Sequence, residues 1–192
     1  TLLSKLTKIN RLELYMLDIS QDEFNQFTSD ENKIENLQKF TMTQQTQEVK
    51  DFSALKNLKN LTSLELRRAE PANLDGINQL AKLESLELYD STIKDISGLK
   101  ELKNLKKLGL SYSENITDFS VLAQLKDLEY LSLRDTRFND VSVLKGLDKL
   151  DALYLPDNDD ISPEDRLSLI RTDKIVLEEN ERLFTNEYNS YE

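Results

Sequence analysis

The sequence predicts an α/β fold: a right-handed solenoid with a curved parallel sheet of about eight strands on its concave face. Short helices or 3₁₀ turns are expected on the convex face. Three observations carry this reading. Leucines recur in register, with Leu58, Leu61, Leu64 and Leu66 repeated as Leu80, Leu83, Leu86 and Leu88 and as Leu102, Leu105, Leu108 and Leu110. Two further copies follow at Leu125, Leu128, Leu131 and Leu133 and at Leu147, Leu150, Leu153 and Leu155. The period is 22 residues with one step of 23, where Asn115 is the extra residue. Finally, 38% hydrophobic and 32% charged residues are lean for a globule but suit a thin, continuous core strip.

The spacing dictates each element. In Leu64-Glu65-Leu66 and Leu86-Glu87-Leu88 the alternation has period two, as in a strand with one buried face. Upstream, Leu99, Leu102 and Leu105 fall every third residue, which suits a 3₁₀ turn folding back over the same core. One unit cannot enclose its own leucines, so stacking must build the core and align the strands in parallel. A second signature joins strand to turn: Ile93-x-Asp95-Ile96-Ser97, Ile116-x-Asp118-Phe119-Ser120 and Phe138-x-Asp140-Val141-Ser142, with Val49-x-Asp51-Phe52-Ser53 before them. The Asp and Ser oxygens are expected to accept from exposed amides at the turn entry. Pro71, Asn73 and Asp75 fill these slots in the one repeat that departs.

The ends are irregular, as solenoid caps are. Leu6, Ile9, Leu12 and Leu14, then Ile34, Leu37, Phe40 and Met42, match the strand pattern at spacings of 28 and 24. Ser20-Gln21-Asp22-Glu23 reads as a capping box opening an inserted helix that carries Phe24 and Phe27. Ser162-Pro163-Glu164-Asp165 starts a helix expected to reach about Arg171. Ile175, Val176 and Leu177 predict the eighth strand. A single domain over 1–192 follows, with irregular repeats at 1–48, regular repeats at 49–156 and a capping repeat and tail at 157–192.

The pattern I-x-D-[IFV]-S-x-L-x-x-L-x-x-L-x-x-L-x-L resembles the internalin-type leucine-rich repeat of bacteria, well over residues 49–156. That resemblance implies a surface or secreted recognition module of a Gram-positive-type bacterium, used in adhesion or virulence and binding a protein partner through its concave face. Where the family often has an Asn ladder after the strand, this chain holds Ala69, Ser91, Ser113, Thr136 and Asn158. Ser and Thr can bond neighbouring backbone and Ala69 cannot, which puts the local geometry at Ala69 in question.

Chemistry is constrained by what is missing. With no histidine and no cysteine, the commonest general base, the thiolate ligands and the Ser-His-Asp and Cys-His nucleophiles are all excluded. No Gly-rich phosphate loop is present, and Asp157-Asn158-Asp159-Asp160 lacks the Gly and Glu of a calcium loop, with Ser162 and Ser168 in those places. No catalytic residue, cofactor or metal site is assigned. A net charge of -11 argues against nucleic acid, with residues 157–192 carrying eleven acidic and four basic side chains. No run of 18 apolar residues is present, so no membrane insertion is expected. The start at Thr1 reads as a trimmed or mature segment, and a monomer is favoured.

Specificity is expected from the positions flanking the strand leucines, which project away from the core. Four of the seven tyrosines (Tyr15, Tyr89, Tyr130 and Tyr154) fall there, and Tyr112 lies one position beyond. Tyr and Arg dominate binding hot spots. The expected partner-binding residues are Tyr89, Tyr112, Tyr130, Arg134 and Tyr154, flanked by Glu65, Arg67 and Glu87. A line of lysines (Lys56, Lys59, Lys82, Lys100, Lys103, Lys126, Lys145 and Lys149) reads as a solvated edge, with contact to an acidic cell-wall polymer as the alternative. An intracellular inhibitor or immunity-type protein, its acidic end steered onto a basic toxin or enzyme, is the competing function. A recognition module cut from a larger enzyme is a third.

Overall fold

The computed structural model describes residues 8–29, 34, 36–46, 48–71, 73–157 and 160–169. Seven strands form one parallel sheet in sequence order: β1 (Arg11–Leu17), β2 (Lys39–Gln44), β3 (Ser63–Arg67), β4 (Ser85–Tyr89), β5 (Lys107–Gly109), β6 (Tyr130–Ser132) and β7 (Ala152–Tyr154). The leucine alignment becomes the strand register: Leu64 pairs with Leu86, Leu86 with Leu108, Leu108 with Leu131 and Leu131 with Leu153. The eighth strand expected at residues 175–177 lies outside the described residues.

In β3 and β4 every second residue is buried, and Leu64, Leu66, Leu86 and Leu88 have no exposure at all. The third-residue leucines do form 3₁₀ turns, at Ser53–Asn57, Ile77–Gln79, Ser97–Glu101, Ser120–Gln124 and Val141–Leu144. Each turn packs on the next, so the core is a strip one coil thick and many coils long.

The turn-entry signature works with one change from expectation. Each aspartate accepts from the amide two residues on: Asp51 from Ser53 at 2.8 Å, Asp95 from Ser97 at 2.8 Å, Asp118 from Ser120 at 2.9 Å and Asp140 from Ser142 at 3.0 Å. The carboxylate is thus the capping acceptor, and the serine takes part through its backbone amide rather than by accepting at its side chain. In the departing repeat Asn73 reproduces the bond, accepting from the Asp75 amide at 2.8 Å.

After the strands, Ser113 donates to the neighbouring coil's Leu88 carbonyl at 3.2 Å, while Thr136 bonds within its own coil to the Leu133 carbonyl at 2.7 Å. Ala69, buried, has no side-chain polar group; its carbonyl accepts from the Thr92 amide at 3.3 Å, so the coil stays in register there. Gly76 is a position where glycine is required. Its φ is 84°, and a Cβ would lie 2.6 Å from the backbone oxygens of Phe52 and Ser53.

The N-terminal insertion is the helix α1 (Gln21–Phe27), with both halves of its capping box formed by Ser20 and Glu23. Phe24 packs edge-on against Phe52 at 5.4 Å, and Gln21 bonds the backbone at Lys50 and Asp51, which fixes the helix to the next coil. At the other end, α2 (Pro163–Ser168) starts at the predicted Ser162 cap and stops at Leu169, short of the expected Arg171, which lies outside the described residues.

Candidate partner-binding site

The eight expected residues divide into two contiguous groups along the concave side. In the first, the Arg67 guanidinium is ion-paired with Glu65 and sits over the Tyr89 ring at 5.6 Å. Tyr89 meets Tyr112 with ring centroids 4.9 Å apart. Burial and that neighbour push the Tyr89 phenol above its ordinary value.

In the second group, Tyr130 and Tyr154 pack at 5.4 Å, and the Arg134 guanidinium lies over Tyr154 at 4.5 Å. Tyr154 is thereby only 6% exposed. Sequence reasoning expected an exposed contact residue; the structure makes Tyr154 the base on which Tyr130 and Arg134 rest. The physical reason is crowding: strands about 4.8 Å apart leave little free face between two large rings and a guanidinium.

Two residues that sequence reasoning left outside the site join the groups. Lys107 ion-pairs with Glu87 at 2.9 Å and stands over the Tyr130 ring at 4.8 Å. Gly109 lies opposite Glu87 in the register, and a Cβ there would fall onto the Glu87 carboxylate. Glycine therefore lets the Glu87 side chain lie flat across β5, where it is only 13% exposed. Glu87 Oε1 accepts no well-directed hydrogen bond, so the Lys107 contact is an ion pair of poor angle rather than a hydrogen bond. Burial raises the Glu87 carboxyl above the usual carboxylate range, against the opposing pull of Lys107. Tyr130 is pushed up to about 12, first by burial and then by the Glu87 charge. The signal for Gly109 was in the sequence: it is the one glycine in an L-x-L slot.

Below Tyr89 and Tyr130 the sheet closes with small residues. The hydroxyls of Ser111 and Ser132 bond each other at 2.7 Å, both buried. The arrangement is a face of alternating rings and cations with one recessed carboxylate. Among the described residues no group of three or more His, Cys, Asp or Glu is placed to hold a metal ion, and no helix is long and apolar enough to cross a membrane.

Three of the eight lysines of the edge brace neighbouring coils. Lys82 donates to Asn60 at 2.5 Å, Lys149 pairs with Asp127 at 2.5 Å and Lys126 donates to the Gly146 carbonyl at 3.3 Å. In the first two pairs the partners are 22 residues apart, one coil.

No protein-family model and no curated protein matches the chain. Among solved structures, internalin C2 from Listeria monocytogenes is similar to it with a TM-score of 0.67 and 30% identity, over 80% of this chain and 65% of that one. The fold is an internalin-like leucine-rich-repeat solenoid. An internalin (inlF) from the same organism shares that fold with a TM-score of 0.65 at 22% identity, over 93% of this chain and 64% of its own. The chain thus spans slightly less than two thirds of the length of either protein.

Proposed function

We propose that this chain is a non-catalytic recognition module that binds a protein partner through the concave face, at the surface of or outside a Gram-positive-type bacterium. The observation that carries the reading is the run of stacked rings and cations from β3 to β7: Arg67 on Tyr89, Lys107 on Tyr130 and Arg134 on Tyr154. Rigid aromatic and guanidinium groups supply contact area with little rotamer entropy left to lose, which is what hot spots require. The similarity to internalin C2 supports the location and the class of partner.

The test is an array of purified cell-surface ectodomains probed with the wild-type chain, then with Tyr130→Ala and Arg134→Ala. At least one ectodomain should bind wild type and lose about tenfold or more in affinity with each variant, the 1.4 kcal/mol or more typical of a hot spot. Hits that bind both variants as tightly as wild type, with far-UV dichroism unchanged, would place recognition elsewhere.

A further inference from the structure

Each coil presents three residues that flank its two strand leucines on the concave side, as Ser85, Glu87 and Tyr89 do in β4, and beyond these three columns lies a fourth row. Where the chain leaves a strand it turns through one residue in the left-handed region: Met16 (φ 51°), Arg68 (54°), Asp90 (52°), Tyr112 (61°) and Asp135 (50°). Each stands two residues after the second strand leucine of its coil. All five side chains are exposed, whereas every concave-column residue from β3 to β7 is half-buried or buried. In these five coils the left-handed corner aims one side chain outward, so the rim there is more accessible than the face beside it, whereas the equivalent Gln44 in the β2 coil is buried and not left-handed.

Aspartate takes this conformation readily, which accounts for Asp90 and Asp135; a bulky aromatic does not. Tyr112 occupies it nonetheless, 46% exposed, with its ring against Tyr89 rather than in the core. Packing of the solenoid therefore does not explain the choice of tyrosine. Asp90 and Asp135 flank it on the neighbouring coils, and among the described residues neither carboxylate accepts a hydrogen bond or pairs with a cation.

We propose that Tyr112, between Asp90 and Asp135, binds a basic segment of a partner protein in the polyproline-II conformation, reading the pattern Lys-x-x-Lys. The two aspartates are two coils apart, about 9.6 Å at the usual strand spacing. In a polyproline-II helix, residues three apart lie on one face at about 9.3 Å, which sets one lysine on each carboxylate with the stem between them over the Tyr112 ring. The net charge of -11 draws a basic segment toward the chain. The rim adjoins the concave face through the Tyr112–Tyr89 contact. Its two carboxylates lie outside the Lys107–Tyr130 and Arg134–Tyr154 stacks, so variants at Asp90 and Asp135 and variants at Tyr130 and Arg134 test the two readings separately.

The test is fluorescence anisotropy of two fluorescein-labelled peptides of identical composition on the full chain, one with a Lys-Pro-Pro-Lys core and one with Lys-Lys-Pro-Pro. The first should bind about twofold to fivefold more tightly, since only it spans both carboxylates and so gains a second exposed ion pair. The double variant Asp90→Asn and Asp135→Asn should remove that preference. Tyr112→Asn should weaken binding about threefold to fivefold while the thermal midpoint holds or rises, because asparagine is at ease in the left-handed region. Tyr130→Ala should leave peptide binding unchanged. Equal affinity for the two peptides, no binding of either, unaltered binding by the rim variants, or a loss with Tyr130→Ala would each overturn the proposal.

Discussion

Gly109→Ala tests whether the recessed carboxylate organises the concave cluster. The Gly109 backbone is not in the left-handed region, so alanine is permitted there and should gain about 0.4–1 kcal/mol from the stiffer unfolded chain. Its methyl group occupies the place of the Glu87 carboxylate, which must swing into solvent. That breaks the pair with Lys107, whose side chain is 38% exposed; a pair so screened contributes about 0–1 kcal/mol. Release of a carboxylate from a site that raises its pKa is favourable and offsets part of this. The net change in stability is therefore within about 1 kcal/mol of zero. The electrostatic effect is larger: without the Glu87 charge and cover, Tyr130 should titrate well below 12, toward its ordinary 10.0. Ultraviolet difference titration of phenolate, alongside urea unfolding, reads both quantities. A loss above about 2 kcal/mol with one tyrosine still titrating near 12 would refute the reasoning, because Gly109 would then matter for packing and not for the position of Glu87.

Two further outcomes follow from the coil geometry. Gly76→Ala should destabilise by about 2–4 kcal/mol in urea unfolding, since left-handed strain adds to a clash with backbone oxygens that cannot move aside. Gly146→Ala, with φ 98° but only the flexible Lys126 Nζ at 3.2 Å, should cost about 1 kcal/mol. Stability against pH should have two limbs. The turn aspartates Asp51, Asp95, Asp118 and Asp140 are lowered below 3.8 mainly by the Ser amide and hydroxyl bonds, so their contribution is present above that value and is lost as pH falls through their folded values. Glu87 is raised, so its site gains stability as pH falls from its folded value toward 4.5. Chemical unfolding from pH 7 to 2.5 should show a flat or slightly rising limb and then a steep fall. Asp95→Asn with Asp118→Asn should flatten only the fall, since asparagine keeps the acceptor, as Asn73 does. A fall of undiminished steepness in that variant would exclude the turn carboxylates as its source.

How far the fold was legible depends on which residues repeat. The leucines, the turn aspartates and the Ser20 box act through local periodicity or capping, and each holds the place its spacing implies. The concave positions of Tyr89, Tyr130 and Arg134 were legible for the same reason, because alternation fixes which way a strand residue points. What a side chain touches there is set by neighbours 22 residues away. Tyr154 is buried by Arg134 and Tyr130, and Glu87 lies down because Gly109 has no Cβ; both facts depend on pairs of residues rather than on any one position. The left-handed corner was invisible for another reason. Its five occupants, Met16, Arg68, Asp90, Tyr112 and Asp135, share a backbone conformation and no composition.

The one-residue step at Asn115 shows how such a scaffold can vary. From Leu110 to Ile116 the chain is one residue longer than from Leu88 to Ile93, yet Leu108 still pairs with Leu131 and Leu88 and Leu110 remain fully buried. The slack is taken up wholly in the corner loop after Tyr112. Insertions at the corner are therefore invisible to the core, while whole coils lengthen the sheet in steps of about 4.8 Å. A lineage of such chains can adjust its span in discrete increments and its rim by single residues, so reach and contact chemistry are free to diverge independently.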